Sequence, residues 1–220
     1  MRDIWRRHRN GFWTPGHKRS LYLGLILLAI AIVVQVGAGR FSARLSANAS
    51  PADDIFLQNL PVVNLDFVIV GGAIAFWVVA CMLLAVRPSH LLFGIKAIAV
   101  FIIVRSFFIN LTPLAPYPHA IAPTSDNLGF GLYRLITFQG NFFFSGHTGF
   151  PFLMALIFWE DRLWRRVFLV ATVIFGATML LAHAHYSIDV FAAPFMVYGI
   201  YTITARLFKR DHALLARAQA

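Results

Sequence analysis

The segment that decides the fold reads AHAHYSIDV and covers residues 182–190. It joins two apolar stretches, near 167–184 and 186–208, and each approaches the ~20 residues that a helix needs to cross a membrane. The two helices must therefore turn between His183 and Tyr186, almost at the membrane surface. Ionisable groups at membrane depth are costly unless they are paired or hydrated, so this turn is a candidate functional site.

Composition indicates an integral membrane protein. The chain has 220 residues, of which 59% are hydrophobic and 13% are charged, and its mean hydropathy is +0.71. A net charge of +10 would suggest nucleic-acid binding in a soluble protein, but here the basic residues lie mostly between or beyond the apolar runs. The single cysteine, Cys81, excludes an intrachain disulfide and a cysteine metal site.

Six apolar runs predict six membrane-spanning helices. They lie near 20–38, 66–86, 90–111, 142–159, 167–184 and 186–208. The predicted fold class is therefore an all-α integral membrane protein, a six-transmembrane-helix bundle. We expect a basic cytoplasmic N-terminus (1–19), a membrane catalytic domain (20–208) and a cytoplasmic C-terminal tail (209–220).

The distribution of basic residues predicts the orientation of the bundle. If both termini are cytoplasmic, 14 of the 19 Lys and Arg residues lie inside, and Lys96 falls within the third helix. Only four lie outside, namely Arg40, Arg44, Arg105 and Arg134. The positive-inside bias therefore favours an N-in/C-in topology.

A second polar cluster, NFFFSGHT at 141–148, begins the fourth predicted helix. In this topology His147 lies near the outer start of that helix, and Arg105 lies near the outer end of the third. His185 and Asp189 lie at the outer start of the sixth helix. Four ionisable groups that are scattered over 85 residues of the sequence are thus predicted to meet on one side of the membrane.

The spacing of His185 and Asp189 suggests a catalytic pair. Residues four apart share a face of a helix, so the carboxylate can accept a hydrogen bond from one imidazole nitrogen. The other nitrogen is then left as a nucleophile or a base.

The second cluster suggests how an anion is bound. His147 follows Ser145 and Gly146 at a helix start, where free N–H groups and the helix dipole favour an anion such as phosphate. Arg105 supplies a planar, permanent charge for its oxygens. The predicted catalytic residues are His147, His185 and Asp189, and the predicted substrate-binding residues are Arg105, Ser145, Gly146, Asn141 and Tyr186.

Each of these residues also has a structural interpretation. Serine often caps a helix, and we favour this for Ser145. Arg105 could extend to the membrane interface. His183, His119 and His90 fit hydrogen-bonded interfacial residues better than catalytic ones.

The two clusters resemble a known family. Ser145-Gly146-His147-Thr148 and the segment 183–190 are similar to the signature motifs of sphingomyelin synthases, a branch of the type 2 phosphatidic acid phosphatase superfamily. Weaker similarity occurs at residues 202–208, at Arg105 with 112–114, and at 51–54.

The resemblance implies a six-helix bundle with an extracytoplasmic site and no metal or organic cofactor. By similarity, His185 attacks the phosphorus of a donor lipid to form a phosphohistidine, and Asp189 orients His185. His147 protonates the departing lipid hydroxyl and later accepts a proton from the acceptor hydroxyl.

Two positions depart from related patterns. The synthases have Cys-Gly-Asp where this chain has Gln139-Gly140-Asn141, and the loss of an acid suggests an anionic head group rather than phosphocholine. The superfamily's phosphatases usually carry an arginine where this chain has Met179, which argues against an ordinary phosphatase.

The leading functional prediction is an extracytoplasmic lipid phosphotransferase that moves a phospho-head-group from a glycerophospholipid to a lipid alcohol such as ceramide or diacylglycerol. The alternatives are a hydrolase that uses water as acceptor, a zinc site at His147, His183, His185 and Asp189, a serine protease using Ser145, and a lipid binder or flippase.

We expect a multi-pass protein of a bacterial inner membrane with its site facing the periplasm. Its partners would be the membrane, a phospholipid donor and a lipid-alcohol acceptor but no nucleic acid, and the sequence leaves a homo-oligomer open.

Overall fold

A computed structural model describes residues 13–111, 113–118, 120 and 143–219 of the chain. These residues form α-helices and one π-helical segment, and they contain no strand. The elements are α1 (Pro15–Ser46), α2 (Ile55–Asn59), the π segment (Phe67–Gly72), α3 (Ala73–Val86), α4 (Pro88–Ile109), α5 (Gly146–Ile157), α6 (Arg162–Leu181), α7 (Ser187–Leu207) and α8 (Lys209–Gln219).

Five of these helical stretches are long and apolar enough to cross a membrane: α1, the π segment with α3, α4, α6 and α7. Helix α5 is apolar but has only 12 residues, because it begins after the Ser145 cap and ends at Ile157. The fourth predicted span, 142–159, is therefore shorter as a helix than the sequence suggested. Several long apolar helices fit a multi-pass membrane protein, while six spans and the N-in/C-in topology stay predictions.

Capping residues place two helix starts earlier than hydropathy does. Helix α1 begins at Pro15 rather than near 20, because the Thr14 side chain accepts from the His17 N–H and proline suits the first helical position. Helix α6 begins at Arg162 rather than near 167, because Asp161 accepts from the Trp164 N–H at 3.2 Å. Hydropathy marks where a helix enters an apolar layer, whereas capping marks where the helix begins.

Helix α5 lies at the centre of the core. Its residues Leu153 and Met154 are fully buried, and it packs against both α6 and α7. A Cβ atom at Gly149 would lie 3.1 Å from both Phe101 of α4 and Val197 of α7, so glycine permits this close packing. Many large apolar side chains on α1, α6 and α7 are exposed, as expected of surfaces that face lipid.

Helix contacts define two ends of the bundle. At one end, which we name the Lys96 end, Lys96 of α4 contacts Ser20 of α1 and Asp211 of α8. At the opposite end, which we name the His185 end, Ser42 of α1 donates to the Ile109 carbonyl of α4. Helices α1 and α4 therefore run parallel, and the described N-terminal and C-terminal parts of the chain lie at the same end.

Lys96 is buried in the third predicted span, and helix α8 supplies its counter-charge. Its ammonium donates to the Asp211 carboxylate at 2.6 Å, to the Ser20 hydroxyl at 2.6 Å and to the Leu92 carbonyl at 3.2 Å. The side chains of Lys96 and Asp211 are only 1% and 10% exposed. The segment predicted as a C-terminal tail thus contains a helix that neutralises a buried charge.

We predict that Lys96→Met lowers the thermal stability of the detergent-solubilised protein. Removing one partner of a buried ion pair leaves the other charge uncompensated, at a cost of about 3–5 kcal/mol. The double variant Lys96→Met/Asp211→Leu removes both charges and should recover most of the loss. Thermal unfolding measures this, with Lys209→Met as an exposed control, and equal losses in the single and double variants would contradict the pairing.

Candidate active site

The turn between α6 and α7 is unusually tight. The Ala184 N–H donates to the Met179 carbonyl and the His183 N–H donates to the Leu180 carbonyl, both at 3.0 Å, which is the Schellman pattern of a helix end. The position that normally carries glycine in this motif is His183, whose φ is 52°. The predicted sharp turn is therefore confirmed, and it holds a residue in the left-handed region at a cost of ~1–3 kcal/mol.

The two ring nitrogens of His183 are buried and have no hydrogen-bond partner among the described residues. The ring is 4% exposed and packs edge-on against Tyr117, with centroids 5.3 Å apart. A buried polar group without a partner is destabilising. Within the described part of the chain, His183 thus combines strained backbone with ring nitrogens that have no hydrogen-bond partner.

His185 and Asp189 contact each other, but not as two residues of one helix face. His185 lies before Tyr186, the N-cap of α7, so it belongs to the turn. Its Nδ1 lies 3.5 Å from Asp189 Oδ2, and the side chains are 8% and 1% exposed. A proton on Nδ1 would be shared with the carboxylate, which leaves the lone pair on Nε2.

Asp189 is held by the start of its own helix. Its Oδ2 also accepts from the Tyr186 N–H at 3.1 Å, as in a capping box. Its Oδ1 is buried and has no hydrogen-bond partner among the residues the structure describes. One oxygen thus fixes the turn and contacts His185, so the carboxylate is positioned by the backbone as well as by the imidazole.

His147 lies in the first turn of α5. Ser145 caps this helix as expected, since its hydroxyl accepts from the Thr148 N–H at 3.4 Å. The Nε2 of His147 lies 3.2 Å from the Ile69 carbonyl, which can only accept, so Nε2 carries a proton and Nδ1 is the nitrogen whose protonation can change. Ile69 belongs to the π segment, and such segments occur frequently at functional sites.

Arg105 enters the site from α4. Its Nε donates to the Phe144 carbonyl at 2.9 Å, and the residue is 9% exposed. A Cβ atom at Gly146 would lie 3.4 Å from this Nε, so the absence of a side chain at Gly146 lets the guanidinium lie against the start of α5.

One backbone hydrogen bond joins the two clusters. The Ser145 N–H donates to the Asp189 carbonyl at 3.0 Å. His147 also lies within electrostatic range of His185 and Arg105. The structure therefore brings together His147, His185, Asp189 and Arg105, with Ser145 and Gly146 between them, at the His185 end of the bundle.

Two predicted substrate-binding residues, Tyr186 and Asn141, do not belong to the group of residues just described. The Tyr186 hydroxyl donates to the Ala115 carbonyl at 2.8 Å and accepts from the Ala52 N–H at 3.2 Å, so it ties three chain segments together. Asn141 lies outside the described residues. Substrate contact by either residue stays a prediction.

Asp54 was not among the predicted site residues, and only the weak family similarity at 51–54 pointed to it. Its carboxylate accepts from the Phe56 and Leu57 N–H groups of α2 and from the Ser187 N–H of α7. Burial alone would raise the pKa of Asp54, but these hydrogen bonds outweigh it and lower the pKa below its usual value. An aspartate before an apolar run signals the cap of α2, whereas nothing in the sequence signals the contact with Ser187.

The described residues contain no group of three or more His, Cys, Asp or Glu side chains arranged to hold a metal ion. The site they form is instead a pair of imidazoles, a carboxylate and a guanidinium. Such groups can transfer protons, supply a nucleophile and bind an anion.

Comparison with known proteins adds one match. Residues 140–207 match the family model described as PAP2 superfamily C-terminal. This match supports the PAP2 superfamily for the chain. It spans α5 to α7, and so both histidine clusters. No curated protein and no solved structure matches the chain, and the sphingomyelin synthase-like branch stays a prediction.

We predict that His183→Gly is more stable than His183→Ala. Both variants lose the imidazole, so they differ mainly in the Cβ atom, which costs ~1–2 kcal/mol in the left-handed region. At most exposed helical positions the order is the reverse, because glycine gains more chain entropy on unfolding. Thermal unfolding of the two variants tests this, and a higher midpoint for His183→Ala would show that the turn does not require left-handed backbone.

Proposed function

We propose that the chain is a lipid phosphotransferase of the sphingomyelin synthase-like type. The PAP2 superfamily suggests phosphatase- or phosphotransferase-type chemistry on lipid phosphates. The observation that carries the proposal is the buried His185–Asp189 pair beside His147 and Arg105, at the ends of long apolar helices. A lipid phosphate ester is a substrate whose tails fit the apolar helices and whose phosphate fits this cluster.

In the first step, His185 Nε2 attacks the donor phosphorus. A P–N bond forms while the P–O bond to the lipid alcohol breaks, and His147, which enters this step protonated at both ring nitrogens, gives its Nδ1 proton to the departing oxygen. Asp189 keeps the Nδ1 proton of His185 in place and stabilises the positive charge that forms on the ring.

In the second step, a hydroxyl of the acceptor lipid attacks the phosphohistidine. His147 takes the proton of that hydroxyl, a new P–O bond forms, and the P–N bond breaks to restore neutral His185. Arg105, held by the Phe144 carbonyl beside Gly146, would bind the phosphate oxygens and offset the charge that they gain.

The second candidate is a lipid phosphate hydrolase. The family match favours it, because the PAP2 superfamily suggests a phosphatase-type enzyme. The same residues would act, with water in place of the acceptor hydroxyl. The two reactions differ only in what reaches the phosphohistidine.

The proposal includes a location and a donor preference. The excess of basic residues at the Lys96 end favours that end as cytoplasmic, so the site would face the periplasm of a bacterial inner membrane. Asn141, in place of an acid in the synthases, favours an anionic head group in the donor.

We predict that the purified protein makes a new acceptor phospholipid together with diacylglycerol. Mass spectrometry after incubation with phosphatidylcholine or phosphatidylglycerol, with and without ceramide, measures both products. Diacylglycerol or dephosphorylated lipid without an acceptor product would establish the hydrolase. A higher rate from phosphatidylcholine than from phosphatidylglycerol would contradict the preference for an anionic head group.

We predict that His185→Ala lowers the turnover rate by several orders of magnitude. We expect Asp189→Asn to lower kcat on the order of 10²–10⁴-fold, because the tautomer of His185 is no longer fixed. The wild-type protein should form an acid-labile, alkali-stable phosphoenzyme from a donor labelled in the phosphate, and His185→Ala should not. His17→Ala, at the Lys96 end, is the matched control. Turnover retained by His185→Ala would exclude His185 as the nucleophile, whereas lipid binding without turnover in the wild type would favour a binder or flippase.

A further inference from the structure

The N-cap residue of helix α7 provides no side-chain acceptor for the start of the helix. The N-cap residue is Tyr186, whose hydroxyl is bound to Ala115 and Ala52 and does not turn back to the helix. A helix start leaves four backbone N–H groups without partners inside the helix. The Tyr186 N–H is taken by Asp189, so the next group that needs an acceptor is the Ser187 N–H.

Asp54 supplies that acceptor from 133 residues earlier in the chain. Its Oδ2 accepts from the Ser187 N–H at 2.6 Å, while its Oδ1 accepts from the Phe56 and Leu57 N–H groups at 3.0 and 3.1 Å. One carboxylate, 6% exposed, therefore caps α2 and α7 together. Its negative charge also interacts favourably with the dipoles of both helices.

We propose that Asp54 is a positioning residue for the His185–Asp189 pair. Ser187 lies between these two residues, one position into α7, so a shift of its backbone would move both side chains. The proposal rests on the proposed function, in which the pair forms and breaks the phosphohistidine. It assigns to the segment 51–57, outside both histidine clusters, the task of fixing the attack geometry.

Apolar contacts hold the same segment independently of Asp54. Phe56 packs against Phe191 of α7 with ring centroids 5.2 Å apart, and Leu57 is 1% exposed. Removal of the carboxylate should therefore leave the segment docked while the first turn of α7 gains freedom. A displacement of a reacting group by about 1 Å can lower a reaction rate by ~10²-fold without changing the fold.

Three variants separate the two hydrogen-bonding roles of Asp54. Asp54→Ser keeps a good cap for α2 but is too short to reach Ser187. Asp54→Asn keeps one oxygen and the size of the side chain but lacks a second acceptor. Asp53→Ser changes the neighbouring carboxylate, which is exposed, and serves as the matched control.

We expect Asp54→Ser to lower kcat by about 10- to 100-fold with KM within about threefold of wild type, with a comparable effect for Asp54→Asn, whose side-chain NH2 group cannot accept from an N–H, and none for Asp53→Ser. The amide of Ser187 should exchange with deuterium faster in Asp54→Ser than in Asp53→Ser, while the exchange of α5 stays unchanged. A rise of KM alone, or a fall of kcat matched by a general loss of protection across the helices, would overturn the positioning role.

The exchange measurement keeps the two proposals separate. If wild-type protein turns over no lipid, the proposed function fails on that result alone. The exchange of Ser187 still decides whether Asp54 holds the start of α7, and equal exchange in Asp54→Ser and Asp53→Ser would overturn the inference whatever the reaction is.

Discussion

The hydrogen bond from the Ser145 N–H to the Asp189 carbonyl joins the two histidine-bearing segments, and the rest of the site is arranged around it. It attaches the residue that caps α5 to the first turn of α7. His147 is thereby placed beside the His185–Asp189 pair, and Arg105 reaches the same point through the Phe144 carbonyl. Because helix ends expose backbone groups that need partners, several ends that meet can satisfy one another and leave side chains for chemistry.

The two ends of the bundle differ in how far their buried charged and polar groups have partners among the described residues. At the Lys96 end, the ammonium of Lys96 and the carboxylate of Asp211 satisfy each other, with further bonds to Ser20 and Leu92, as a structural ion pair requires. At the His185 end, the described residues leave one Asp189 oxygen and both His183 nitrogens without partners, and His183 has strained backbone. Strain and unsatisfied polar atoms of this kind occur typically at functional sites.

Much of the site could be expected from the sequence, and two of the misses share one cause. Ionisable residues in apolar runs, together with a tight turn at 183–186, predicted that His147, His185, Asp189 and Arg105 would lie close together. His185 and Asp189 were expected to share one face of a helix. His185 instead precedes the helix, because the Asp189 side chain caps the Tyr186 N–H. Asp54 and the partner of Lys96 were missed because both contacts join residues more than 100 positions apart.

The sequence by itself establishes that the protein is helical and apolar, where its helices turn, and which side chains are too polar for their surroundings. These properties depend on residues that are neighbours in the sequence. The partners of those side chains are decided only when the helices pack. Helix α5 ends up short and central, α8 returns to Lys96, and the segment 51–57 caps a helix far along the chain. A buried hydrogen-bonding group accepts whichever partner the packing brings within reach, and no pattern in the sequence specifies that partner.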